Sequence, residues 1–370
     1  MEKNDFTGLL VYIIMLVLAF IVGQTIISLG NAEVSEMLTI TYPAYVIICI
    51  ILSALLFTLV YEIGHIIGAK IGKYKVSCIN FCGLCFTKID NKWKFSFKAP
   101  EGLISETRFT PIDAKGNPKC FLWGGVVAFL ITMLISFSTF LINDLPATIK
   151  YGVLIYISIG IILLFYNIVP IPLDVLNDGY RIKLLGNKSN VEAYNEFMRI
   201  ENDVRNGEEP HDVKVYDNIS AMTATVNMYR FYELMDQNNL KEAENIIDMM
   251  IERGENLDNA TLTRLKAHKL WFVVMNSTLE ESSKYYWKKM TDRERKDISQ
   301  DKNYVSRRAY LLISGVINKS ISESRIALSN YKSLNKISDK LKKRVELKLY
   351  EQSIEKVKTI IPDADFTDLL

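Results

Sequence analysis

Leu59-Val60-Tyr61-Glu62-Ile63-Gly64-His65-Ile66-Ile67-Gly68 puts a carboxylate and an imidazole at the end of a long uncharged run. The stretch from Met37 to Tyr61 holds no Asp, Glu, Lys or Arg, and exceeds the roughly 20 apolar residues that cross a hydrocarbon core about 30 Å thick. An ionisable side chain at the bilayer centre costs on the order of 2.5–3.5 kcal/mol on insertion scales, so such residues are retained for a reason. Glu62 and His65 stand at i, i+3 and project from one helix face. Gly64 and Gly68, four apart, let a second helix come close. The plain alternative is that the pair only marks the membrane interface, because Lys70 follows at once.

Three further stretches lack charge: Phe6 to Ala32, Cys120 to Asn143 and Tyr151 to Leu173. Together they predict four transmembrane helices. The first is too long in its apolar run, and lacks the small-residue site, for a cleaved signal peptide. Loop charge sets the orientation. The loop Gly30 to Thr41 carries Glu33 and Glu36 and no basic residue, whereas Lys70 to Lys119 carries ten Lys and Arg. The latter segment is therefore expected in the cytoplasm, as is everything after the fourth span, with both termini inside.

Composition divides the chain in two. Up to Leu173 there are 12 Lys and Arg against 10 Asp and Glu, while the remainder holds 32 of each. A balanced tail and a net charge of +2 argue against nucleic acid as a partner, since phosphate binding needs a cationic surplus. The expected architecture is mainly α: a polytopic membrane protein with a small cytoplasmic β insert and a C-terminal helical domain. The domains are 1–36 (first span and outer loop), 37–190 (membrane core with insert 70–119) and 191–370. In the insert, Lys92-Trp93-Lys94-Phe95-Ser96-Phe97-Lys98 alternates after the turn signal Asp90-Asn91, as a hairpin or small sheet does. In the tail, segments at Leu240, Leu279 and Ile321 echo one another at spacings of 39 and 42, resembling drifted tetratricopeptide repeats; a plain helical bundle is the alternative. Tyr285-Tyr286-Trp287 reads as core rather than groove.

A second cluster follows the fourth span: Asn167-Ile168-Val169-Pro170-Ile171-Pro172-Leu173-Asp174-Val175-Leu176-Asn177-Asp178-Gly179-Tyr180. The prolines break the helix and free backbone groups, tolerated at membrane depth only against protein or a water-filled cavity. Asn167 is positioned to tie those groups up. Asp178 before Gly179 puts a carboxylate on a tight turn at the cytoplasmic side, where His65 is.

These two motifs resemble those of the site-2 protease family of intramembrane zinc metalloproteases, which pairs a His-Glu-x-x-His helix with a later Asn-x-x-Pro…Asp-Gly segment. The resemblance covers roughly residues 42 to 190. It implies that Glu62 is the general base, that His65 and Asp178 are zinc ligands, and that Asn167 supports the site or positions substrate. It also implies a membrane-embedded or membrane-adjacent peptide as substrate, such as an anti-sigma factor, a signal-peptide remnant or a small peptide awaiting export. Gly124-Gly125 is similar to the family's Gly-rich span, and the basic insert has a counterpart that presents substrate as an added strand. One position departs. Tyr61 stands where the family has its first ligand His, and a phenol that titrates near pH 10 binds zinc only if the metal itself removes its proton. With His65 and Asp178 alone, two firm ligands remain where catalytic zinc uses three. Peptide-bond hydrolysis by a zinc endopeptidase and a pseudoprotease that binds transmembrane segments therefore both follow. In the second case the helical tail recruits a cytoplasmic protein or peptide. A transporter using Glu62 and Asp178 as proton carriers is a third class, disfavoured by the lack of an internal repeat among the spans.

Cys78, Cys82 and Cys85 have the Cys-x-x-x-Cys-x-x-Cys spacing of a radical-SAM cluster, but the roughly 34 residues before the next span leave no room for a barrel of about 200 or more. A structural zinc, with Cys120 as a further ligand, and reduced cysteines on a half-buried strand are the remaining readings.

Overall fold

The computed structural model describes residues 13–14, 16–24, 28, 41–89, 92–97, 105–113, 116–142, 144–170, 177–276 and 280–370. It divides into two compact units, residues 1–198 and 199–370. The first expected span, Phe6 to Ala32, lies largely outside the described residues, although 16–24 are helical. Pro172, Asp174 and the Asp90-Asn91 turn also lie outside them.

The first unit is built on three helices long and apolar enough to cross a membrane, within α1 (Thr41–Ile71), α2 (Lys119–Ser138, continued by a 3-10 turn to Leu141) and α3 (Ala147–Ile168). Their mean hydropathies are 2.6, 2.2 and 2.0. One side of α1 stays bare: Ile47, Ile48, Ile51 and Leu52 are each more than half exposed. A helix that is apolar all round has no water-facing side, which is the pattern of a membrane span. The inward sides form a small core of Phe57, Tyr61, Val126, Phe129, Tyr156 and Ile157.

Glycines set the crossing of α1 and α2. A Cβ on Gly64 would lie 2.4 Å from the Gly124 carbonyl oxygen, and one on Gly68 would lie 2.2 Å from that of Cys120. Backbone therefore meets backbone, as small residues permit in lipid where no hydrophobic force pulls helices together.

Between α1 and α2 the chain forms an antiparallel sheet of β1 (Tyr74–Phe81), β2 (Leu84–Ile89), β3 (Lys92–Ser96) and β4 (Ser105–Pro111), ordered β3-β2-β1-β4. The alternating lysine–aromatic segment is β3, paired with β2 as Phe95 opposite Phe86. The segment lies in a small sheet as the alternation predicts, and every residue of β3, the outer strand, is exposed. The described cysteines are free thiols. Cys78 and Cys85 are buried on β1 and β2 with Sγ atoms 3.6 Å apart, while Cys82 is exposed on the turn at φ +51°.

After α3 come α4 (Asp178–Leu184) and α5 (Lys188–Asn206). The fourth apolar stretch was read to Leu173, but α3 ends at Ile168, ahead of Pro170. Asp178, expected on a tight turn, is instead the first residue of α4.

The second unit is helical: α6 (Ala221–Asp236), α7 (Leu240–Glu252), α8 (Asn259–Asn276), α9 (Glu280–Lys289), α10 (Asp292–Gln300), α11 (Tyr304–Leu312), α12 (Ile321–Leu328) and α13 (Lys340–Ile360). The echoing segments fall at helix starts, α7 and α12 opening at Leu240 and Ile321. Thr278 and Leu279 lie outside the described residues, just before α9. Successive helices pack as hairpins, but α13 packs back on α6 and α11. A one-dimensional stack touches only neighbouring repeats, so this return contact is closer to a closed bundle. Tyr286 and Trp287 pack on the core, and Tyr285 is exposed.

Candidate functional site

A cavity of about 380 Å³ opens at the end of α1, bordered by α2, the end of α3, α4 and strand β4. Tyr61, Glu62, His65, Asn167 and Asp178 all line it. The two motifs, more than a hundred positions apart, are thus brought together.

Asp178 is the meeting point. Tyr61 donates its hydroxyl hydrogen to Asp178 Oδ2 over 3.0 Å, and His65 Nε2 lies 3.3 Å from the same oxygen. Arg181, one turn along α4, puts Nη1 3.8 Å from Asp178 Oδ1. Burial works against a charged Asp178, but His65, Arg181 and the Tyr61 hydroxyl outweigh it and hold its carboxyl below the usual range. His65 is oriented from behind: Nδ1 lies 2.6 Å from the Phe121 carbonyl, which can only accept, so Nδ1 carries the proton. Its other nitrogen faces that carboxylate oxygen at 3.3 Å, close enough for the two to share a proton. The Tyr61 ring stands edge-on to His65 at 4.7 Å between centroids.

Glu62, one residue on, turns to the sheet. Ser105 Oγ at the start of β4 donates to Glu62 Oε1 over 3.0 Å. Glu62 Oε2 is buried and has no hydrogen-bond partner among the described residues. Among the described residues β4 is an edge strand, paired with β1 alone, and its Glu106, Thr107 and Phe109 also border the cavity.

Asn167 lines the cavity, but its amide nitrogen binds the Leu163 carbonyl of its own helix over 3.0 Å. The freed backbone groups are satisfied by a residue that the sequence reading passed over. Pro170 has no N–H for the Tyr166 carbonyl four residues back, and Asn177 Nδ2 supplies one over 2.8 Å, with a second contact to the Val169 carbonyl at 2.6 Å. Asn177 Oδ1 accepts from the Tyr180 amide and caps α4. One side chain therefore closes α3 and opens α4. The signal available in sequence was Asn one residue before Asp-Gly, a capping residue at a helix start. Gly179 completes the joint: a Cβ there would fall 1.7 Å from the Ile168 carbonyl oxygen.

The donor set does not complete a catalytic zinc site. His65, with its carbonyl-anchored ring, and Asp178 have the chemistry of metal ligands. The third group, Tyr61, is a protonated phenol that spends its hydrogen on the oxygen a metal would use. Among the described residues, no group of three or more His, Cys, Asp and Glu is placed to hold a metal ion, the Cys78, Cys82 and Cys85 set included. His268, a histidine of the tail, is buried in the second unit beside Arg308. No family model, curated protein or solved structure matches the chain.

Proposed function

We propose that this chain is a site-2-protease-like membrane protein that holds a membrane-embedded or membrane-adjacent peptide in the cavity at the end of α1, as a pseudoprotease. In this reading it is a multi-pass protein of the cell membrane with both termini and the tail in the cytoplasm. The observation that carries it is the closed contact of Tyr61, His65 and Asp178: a neutral phenol fills the third ligand position and donates to the remaining carboxylate. The edge of β4, unpaired among the described residues and bordering the cavity, supports strand addition as the way a peptide would lie there, with main-chain hydrogen bonds giving affinity independent of sequence. The charge-balanced tail suits a cytoplasmic protein or peptide partner.

A second reading, retained peptide-bond hydrolysis, is favoured by one observation. Glu62 Oε2 is a buried carboxylate oxygen with no partner among the described residues, next to the cavity and on the same helix turn as His65. That is the placement a general base needs.

Zinc content of detergent-purified protein separates the two. Wild type is expected well below one zinc per chain, and Tyr61→His, which supplies a third ligand, is expected near one. Near-stoichiometric zinc in wild type that both His65→Ala and Asp178→Ala remove would overturn the pseudoprotease reading and favour hydrolysis.

A further inference from the structure

The second unit contains a cavity of about 310 Å³ between α6, α8, the start of α11 and α13. α6 presents Met228 and Tyr232 to it and α8 presents Leu265 and His268, pairs spaced i, i+4 and i, i+3 on one helix face each. Its volume lies at the small end of ligand pockets, which run from roughly 300 to 1,000 Å³. We propose that this cavity binds a carboxylate carried on a compact apolar body, either a free small acid or the C-terminal residue of a peptide. The proposal does not rest on the reading of the membrane site.

The charged group and the imidazole that line the cavity deepest, Lys342 and His268, are donors. Lys342 Nζ is held between the rings of Tyr232 and Tyr304, 5.6 Å from each centroid, with a hydrogen bond to the Tyr304 side chain; Glu346 and Asp339 attract it, but neither forms a close ion pair with it among the described residues. Cation–π contact fixes an ammonium without neutralising it. Arg308 Nη2 lies 3.1 Å from His268 Nδ1. A guanidinium always donates, so Nδ1 accepts and the ring's proton sits on Nε2. Burial, with the charges of Arg308 and Lys342, keeps that imidazole neutral. His268 Nε2–H is therefore a donor with no acceptor among the described residues. The start of α11 adds the positive end of a helix dipole, and no Asp or Glu is among the lining residues.

The nearby carboxylates have other partners, although Glu346 Oε2 and Asp339 Oδ2 make no hydrogen bond and both groups act on the Lys342 charge from outside the cavity lining. Glu346 accepts from the Tyr232 hydroxyl over 2.9 Å and lies 3.6 Å from Arg308 Nε. Asp339 accepts from the Lys342 backbone amide as the cap of α13. Asp301 lies 3.7 Å from Arg264 at the cavity rim. Met228, Leu265 and the two tyrosine rings then offer apolar surface to whatever the carboxylate is attached to. A bare inorganic anion would leave that surface unused.

Saturation-transfer NMR on the full chain in detergent tests this with four probes: N-acetyl-leucine, N-acetyl-leucinamide, and acetyl-Ala-Ala-Leu as free acid and as amide. Both acids are expected to bind at least about tenfold more tightly than their amides, a difference of about 1.4 kcal/mol. Preference for the tripeptide acid over the single residue assigns the source as a peptide C-terminus, and the reverse assigns a free small acid. Lys342→Met is expected to abolish the acid–amide difference. Arg264→Gln, at the exposed rim, is expected to keep the fold and weaken acid binding a few-fold, which tests the site if Lys342→Met does not fold. Equal binding of acid and amide, no transfer to either acid at 10 mM, full displacement by equimolar inorganic phosphate, or wild-type binding by both variants would each overturn the proposal.

Discussion

Asn177 makes three hydrogen bonds at the point where α3 ends and α4 begins, and each answers a need created by another residue. Pro170 orphans the Tyr166 carbonyl, the end of α3 at Ile168 orphans that of Val169, and the new helix leaves its first amides unpaired. An unsatisfied buried polar group costs about 1–3 kcal/mol. Asn177→Ala is therefore expected to destabilise the first unit by about 2–4 kcal/mol. Asn167→Ala, which removes only a bond to its own helix, is expected to cost less than about 1 kcal/mol. Thermal unfolding of the two variants in one detergent checks this, and a larger loss for Asn167→Ala would contradict it. The comparison also marks what sequence made legible. Tyr61, Glu62, His65 and Asp178 stood out because ionisable or polar groups beside an apolar run have few bland explanations. Asn177 did not, because an asparagine in a polar loop is ordinary, and only the carbonyl left by Pro170 gives it a task.

At the scale of elements, the sequence showed the helices and blurred their ends. An uncharged run locates a span, but helix termination depends on where backbone partners fail, so the last span stops at Ile168 and not at Leu173. The insert was legible as β from its alternation, yet the pairing of β1 with β4 across the chain gave no local signal. The crossing of α1 and α2 was legible, since glycines four apart announce close approach. Gly64→Ala puts a methyl group against the Gly124 carbonyl, which backbone must move to accept, at about 1–3 kcal/mol for overpacking. Gly23→Ala meets nothing within 4 Å among the described residues and is expected to be neutral. Equal melting of the two variants would remove the backbone contact as an organiser of this pair. In the second unit, Arg344 binds both Glu209 and Asp236, at 2.7 Å in each case. Its hydrogen bonds hold both carboxyls below their usual values of 4.5 and 3.8. A depressed carboxyl contributes stability above its unfolded pKa and loses it as pH falls through the folded one. Acid is thus expected to weaken wild type more than Arg344→Met below about pH 4.5. The groups are partly exposed, so solvent screening keeps the effect under about 1 kcal/mol. Parallel stability curves from pH 7 to 3 would contradict it.

At the scale of the molecule, the charge division becomes a statement about sides of a membrane. Eight basic residues lie between α1 and α2, Lys70 and Lys119 sit on the helices themselves, and the loop Gly30 to Thr41 has none, so loop charge predicts that the sheet faces the cytoplasm. A thiol is already placed to test this. Cys82 is exposed on the β1–β2 turn, Cys78 and Cys85 are buried beside it, and Cys49 and Cys120 are half-buried on α1 and α2. A membrane-impermeant maleimide is therefore expected to label Cys82 in inside-out vesicles and to leave it unlabelled in intact cells. Cys82→Ser identifies the site, because it is expected to abolish most of the vesicle signal while changing no packed side chain. Labelling from outside intact cells would overturn the orientation expected from the loop charges.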